Sequence, residues 1–132
     1  MLIEINRPFD IPGSTPQQRK AGGGAASHPT QGLRYARAAW RAFLEKYKPA
    51  RPVPKGRAVI LQIDLYYHTT DKKLDGHYKT TRPDGDNLLK IMKDAATKAG
   101  WWEDDAQVQD SIHRHWTAGE ERVEITAWDV LE

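Results

Sequence analysis

The run Arg57–His68 (RAVILQIDLYYH) constrains the fold more than any other stretch of the chain. Val59, Leu61, Ile63, Leu65 and Tyr67 fall on one side of an extended backbone and Gln62, Asp64, Tyr66 and His68 on the other, because successive side chains of a strand alternate. One side packs and the other looks outward. The flanking segments supply what the apolar side needs. MLIEINRPFDIPG alternates loosely at Leu2, Ile3, Ile5 and Phe9, which suggests a first strand closed by Pro12-Gly13. Between Thr30 and Tyr47, Leu33, Ala36, Trp40, Phe43, Leu44 and Tyr47 form a helical stripe whose aromatics read as core, with Arg34, Arg37, Arg41 and Lys48 around it. Prolines at 49, 52 and 54 end that helix, since proline lacks an amide donor and clashes with the preceding turn. A second helix carries Leu88, Ile91, Met92, Ala95 and Ala99 on one face, with Asp86 or Asn87 as its N-cap and Gly100 as its stop. AQVQDSIHRHW and RVEITAWDV then alternate as strands, and the short link Thr117-Ala118-Gly119-Glu120 predicts a terminal hairpin. The expected fold is α/β (α+β): a mixed four-stranded sheet with two main helices covering one face.

At 132 residues, the chain has the length of one domain with one core spanning 1–132. It has no cysteine, so disulfides and thiolate metal sites are excluded and any metal must bind through oxygen or imidazole. That suits a reducing cytoplasm. No apolar run approaches the roughly 20 residues of a membrane span and no signal pattern opens the chain, so a soluble, unsecreted protein is expected. The net charge of +2 conceals a division: residues 1–60 carry 11 Lys/Arg against 3 Asp/Glu, and residues 61–132 carry 9 against 15. A basic half suits a polyanion, and an acidic half a metal ion or simple solvation. From Ser14 to Gln31 the residues are turn formers and glycines, which predicts a mobile loop at about 14–31 whose Arg19 and Lys20 can wrap a phosphate backbone.

Candidate chemistry concentrates in RPDGDNLLKIMKDAATKAGWWEDD, residues 82–105. Asp84 and Asp86 flank Gly85, where a turn into the helix would aim both carboxylates at one ion. Lys90 lies one turn beyond Asp86 on the polar edge, and Asp104 and Asp105 follow the helix. Hard cations such as Mg²⁺ take one or two carboxylates, with water and substrate phosphate completing the shell, and Mn²⁺ accepts the same oxygens. Each residue also has a plainer reading as turn former, helix cap, helix ion pair or solvated loop. Their joint presence beside a basic half favours metal-assisted phosphodiester chemistry, with Lys90 stabilising the developing charge or orienting water. The helix holds the two acidic ends about 20 Å apart, so a returning strand or a two-fold partner must bring Asp105 to Asp84 and Asp86. His113 and His115, on one face of a strand, form a competing site with Asp105, and Asp64 is a lesser acidic candidate.

PDGDNLLKIMKDAATKAG followed by WWEDDAQVQD resembles the signature of RusA-type Holliday junction resolvases, small phage- and prophage-associated endodeoxyribonucleases. The likeness is specific over about Arg82 to Asp110 and looser over the strand ending near His68 and the last two strands. It implies a homodimer that binds Mg²⁺ and cuts four-way junctions at symmetric places during recombination and repair. The implied metal ligands are Asp84, Asp86 and Asp105 with Asp104 as a neighbouring contributor, and the implied catalytic lysine is Lys90. The expected nucleic-acid-binding set is Arg19, Lys20, Arg34, Arg37, Arg41, Arg82 and Lys90. Members commonly carry a basic segment after the first strand, represented here by Gln17-Gln18-Arg19-Lys20. A non-catalytic branched-DNA-binding module is the alternative function, and a structural phage protein is a third.

Overall fold

The computed structural model describes residues 1–12 and 29–131. Among them, strands β1 (Leu2–Pro8), β2 (Ala58–His68), β3 (Val108–Thr117) and β4 (Arg122–Val130) form one sheet, and the two α-helices are α1 (Pro29–Glu45) and α2 (Gly85–Ala99). The sheet order is β1-β4-β2-β3; β1 and β2 both pair antiparallel to β4, and β3 runs parallel to β2. The mixed four-stranded α+β architecture is therefore as expected. α1 begins at Pro29, so the loop expected to reach residue 31 ends earlier, and its residues 13–28, with Arg19 and Lys20, lie outside the described residues.

The terminal hairpin is not formed. β4 pairs with β1 and β2 instead of β3, because α2 serves as the crossover of a β2–α2–β3 unit that lays β3 along one edge of β2. The strongly apolar β2 thereby has both edges paired, and four residues after β3 pass over its C-terminal end. They are bound there: the His68 amide donates to Glu121 Oε2 at 3.1 Å, His68 Nδ1 lies 2.8 Å from the Gly119 carbonyl, and the Thr69 amide donates to the Thr117 carbonyl at 2.8 Å.

Register sorts the sheet into an apolar and a polar face. One row reads Ile5, Ile125, Ile63, Ile112 across the strands, the first three buried and Ile112 packed partly against the core. The adjacent row, one residue on, reads Asn6, Glu124, Asp64, His113, and none of these is buried. Both helices cover the apolar face: Trp40, Phe43 and Leu44 from α1 and Leu88, Met92, Ala95, Ala96 and Ala99 from α2 join Val59, Leu61, Ile63, Leu65 and Tyr67 in one core. Leu33, at the start of the α1 stripe, remains exposed.

α2 ends where the sequence indicates. Gly100 adopts φ 95°, and its amide reaches the carbonyls of Ala96 and Thr97, the left-handed stop that favours glycine. Trp101 and Trp102 follow, each nearly fully buried. Trp101 Nε1 donates to the Leu44 carbonyl at 2.9 Å, which also accepts the Tyr47 amide at 3.1 Å, and so ties the turn after α2 to the end of α1. No helix among the described residues is long and apolar enough to cross a membrane.

Candidate metal centre and nucleic-acid interface

The approach to Asp84 is built on the outer edge of β3. After β2 the chain makes a short 3₁₀ turn (Lys72–Leu74), turns at Gly76 with φ 82°, and runs antiparallel along β3. The bonds are Gly76 amide to Trp116 carbonyl at 3.0 Å, Trp116 amide to His77 carbonyl at 2.9 Å, and Lys79 amide to Arg114 carbonyl at 2.8 Å. Two cations then hold the next three carbonyls. Lys79, buried between the rings of Trp116 (4.8 Å) and Tyr67 (5.3 Å), donates from Nζ to the Thr81 carbonyl, the Thr81 hydroxyl and the Arg82 carbonyl. Arg114 Nη1 donates to the carbonyls of Thr81 and Pro83 at 2.6 Å each. A buried ammonium needs such acceptors, so the clamp accounts for the lysine as well as the loop.

Asp84 is the N-cap of α2, in place of the expected Asp86 or Asn87, and its side chain makes no capping bond. Gly85 is the first helical residue with no positive φ, so the turn attributed to it is absent; an added Cβ would sit 3.5 Å from Ile112 Cγ2 and 3.7 Å from Arg114 Nε, ordinary contacts. Asp86 lies in the first turn and Lys90 one turn on, both exposed. Asp94 pairs with Lys98 at 3.2 Å, not with Lys90. Among the described residues no hydrogen bond or ion pair engages the side chains of Asp84, Asp86 or Lys90. Both carboxylates sit at the positive end of the helix, which favours negative charge there.

The second acidic pair divides its work. Asp104 caps a 3₁₀ turn over Asp105–Gln107: Oδ1 accepts from the Ala106 amide at 3.0 Å, and the Gln107 side chain accepts from the Asp104 amide at 2.9 Å. Asp105 is exposed, and its carboxylate makes no hydrogen bond or ion pair among the described residues. β3 does double back along α2, as Gly85 against Ile112 and Arg114 and the 2.7 Å Lys93–Asp110 ion pair demonstrate. Asp105, however, precedes β3 and lies at the far end of α2, whose 15 residues span about 22 Å. Accordingly, among the described residues no three His, Asp or Glu side chains are grouped closely enough to hold a metal.

The competing histidine site is not assembled with Asp105. His113 and His115 lie on the polar sheet face, where His115 Nε2 meets Asp64 Oδ1 at 2.8 Å and its ring stacks on Tyr66 at 4.6 Å. Asp64 is thereby committed to β3 and faces away from the α2 side of the sheet. Of the basic candidates, Arg34, Arg37 and Arg41 are exposed along α1; Arg41 approaches Glu45 at 3.8 Å, and Arg37 and Arg41 border a cleft of about 240 Å³ with Asp94 and Lys98 of α2. Arg82 is exposed beside Asp84.

Lys79 and Arg114 are site-building residues that the sequence reading missed. Lys79 stands in a polar loop with nothing local to mark it. Arg114 carried a signal, since alternation puts it on the inward side of β3 between Ile112 and Trp116, where a cation needs a reason.

Residues 8–127 match the family model described as Endodeoxyribonuclease RusA. The crossover junction endodeoxyribonuclease rusA of Lactococcus phage r1t is 37% identical over 68 residues, covering 52% of this chain and 52% of that protein. The chain thus matches about half the length of this relative.

Proposed function

The chain belongs to the RusA family of endodeoxyribonucleases, and from that premise we propose that it is a homodimeric, Mg²⁺-dependent nuclease that resolves four-way DNA junctions. Paired, symmetric phosphodiester hydrolysis would place it in DNA recombination and repair. One observation carries the reading: Asp84, Asp86 and Asp105 are exposed carboxylates with no hydrogen bond or ion pair among the described residues, and one of them stands at a helix N-cap without capping it. Carboxylates relieved of structural duty are the hard oxygen donors that Mg²⁺ or Mn²⁺ takes. The chemistry of these donors suits such an ion: Asp84 and Asp86 would hold it at the start of α2, and Asp105, with Asp104 alongside, would have to join them from elsewhere. When bound, the ion supplies Lewis-acid polarisation of the scissile phosphate. Lys90, which has no ion pair among the described residues, would offset charge developing on the phosphoryl oxygens. Arg34, Arg37, Arg41 and Arg82, with Arg19 and Lys20, hold the DNA backbone.

A single protomer keeps Asp105 a helix length from Asp84 and Asp86, so in this proposal the site would be completed across a two-fold axis, each centre taking Asp84 and Asp86 from one protomer and Asp105 from the other. Such symmetry also suits the substrate, because a four-way junction is approximately two-fold and two identical centres cut it at equivalent positions. The test is cleavage of a four-way junction in Mg²⁺ by wild type, Asp84→Asn and Asp86→Asn. Each variant should bind the junction and cut it far less, by more than the about 10–100-fold typical of groups lying outside a metal's own ligands. Equal cutting by all three overturns the site. The second reading, a branched-DNA-binding module without turnover, is favoured by the absence of a three-ligand group within the described protomer. It is established instead if wild type binds the junction in a salt-dependent way and never cuts.

A further inference from the structure

The polar face of the sheet carries a cross-strand row of rings that the acidic site does not use. Register aligns Arg122 of β4, Tyr66 of β2, His115 of β3 and Tyr78 of the following edge segment. The Arg122 guanidinium lies 3.7 Å over the Tyr66 ring, Tyr66 and His115 stack at 4.6 Å and 16°, and Tyr78 leans on His115 at 5.2 Å and on His113 at 6.1 Å. Asp64 fixes the orientation of His115 at 2.8 Å. Tyr78 ends the row at 65% exposure. Both imidazoles are tilted against its ring, at 31° and 38°, and most of the residue remains exposed.

We propose that Tyr78, backed by His113 and His115, is a stacking site for an unpaired nucleobase of the branched DNA. The inference rests on the junction-resolving reading and names a contact within it. Position is the first argument. Tyr78 precedes Asp84 by six residues along the clamped segment, and His113 sits between Ile112 and Arg114, the two residues against which Gly85 packs. The ring and the acidic end of α2 thus lie on opposite faces of the same stretch of β3, joined by the short clamped segment. Charge is the second. Lys72, Lys73 and Arg82 are exposed in the segment that carries Tyr78, whereas its two carboxylates are occupied by amides: Asp71 by that of Lys73 and Asp75 by that of Ala118. Exposed cations thus precede and follow the ring along the segment. Rigidity is the third, since rings held by stacking and by the Asp64 contact lose little freedom on binding. A duplex hides the faces of its bases, and a branch point exposes them, so a ring platform selects branched over linear DNA.

The test uses the full chain in EDTA, which prevents cutting, with a four-way junction bearing 2-aminopurine at the branch and a duplex of matched sequence. Wild type should prefer the junction and quench the 2-aminopurine. Tyr78→Ala should lose about 5- to 150-fold in junction affinity, the range of one base–aromatic stack, with duplex affinity and melting temperature unchanged. Tyr78→Phe, which keeps the ring, should behave as wild type. If wild type prefers the junction and Tyr78→Ala does so equally, or if Tyr78→Phe falls as far as Tyr78→Ala, the stacking site is overturned and the nuclease reading stands. If wild type shows no preference for the junction, both are overturned.

Discussion

Asp84 and Asp104 are two aspartates at helix N-caps, and only one of them caps. An N-cap aspartate whose oxygen accepts a backbone amide is worth about 0.5–2 kcal/mol over alanine. Asp104→Ala should therefore lower stability by about that amount in a urea melt, whereas Asp84→Ala should leave the midpoint nearly unchanged while abolishing metal-dependent cleavage. Equal stability losses would mean that Asp84 is a structural cap after all. At this scale the sequence was a good guide to which element carries each residue and a poor guide to its local role. The positions of Asp84, Asp86 and Lys90 at the start of an amphipathic helix follow from its apolar period. The role assigned to Gly85 does not hold, because φ cannot be read from residue type, and glycine is here an ordinary first helical residue.

The element that aims Asp84 is the segment from Gly76 to Pro83, with no regular structure of its own beyond one bridge to β3. It is ordered by cations on its carbonyls: Lys79 on Thr81 and Arg82, Arg114 on Thr81 and Pro83. Replacing Lys79 by Met keeps the aliphatic length over Trp116 and Tyr67 but removes the donor to the Arg82 carbonyl, while Thr81 keeps its bond from Arg114; loss of a hydrogen bond to a charged group costs about 1.5–3 kcal/mol. Lys79→Met should also raise the Mg²⁺ concentration for half-maximal cleavage by about 10–100-fold, as expected of a group that positions a metal ligand. Junction affinity measured without metal should be retained. A variant with normal Mg²⁺ dependence but lower melting temperature would reduce the clamp to a structural role. Neither cation was legible as part of the site: the contacts bridge residues 79–83 and 114, which have no fixed spacing until β3 returns along α2. The missed hairpin has the same origin. A four-residue link between two strands favours local pairing, but β3 has one edge on β2 and the other along residues 76–79, so β4 pairs on the far side of β2.

For the whole molecule, the question is whether two protomers share each centre. Mixing a protomer carrying Asp84→Asn and Asp86→Asn with one carrying Asp105→Asn yields mixed dimers in which, under the two-fold proposal, one centre is fully intact and the other fully lost. Neither variant alone should cut, and the mixture should nick single strands of the junction. A centre contained within each protomer predicts no activity in the mixture, because every protomer then lacks a ligand. Sedimentation of the wild type should show a dimer at the concentrations used.

The periodicities in the sequence determined the elements: a period of two marks β1 to β4, a period near 3.6 marks α1 and α2, and Gly100 marks the stop of α2. They also determined the two-layer architecture, since strands with one apolar face and helices with one apolar stripe bury both only against each other. The tertiary structure alone decided the strand order, the cations that hold the Asp84 loop, the row of rings on the open face and that the returning β3 leaves Asp105 at the far end of α2. Local patterns record which way a side chain points relative to its own element. Which elements become neighbours depends on how all the apolar faces are satisfied at once, and that is settled only when β2 takes its place between β3 and β4.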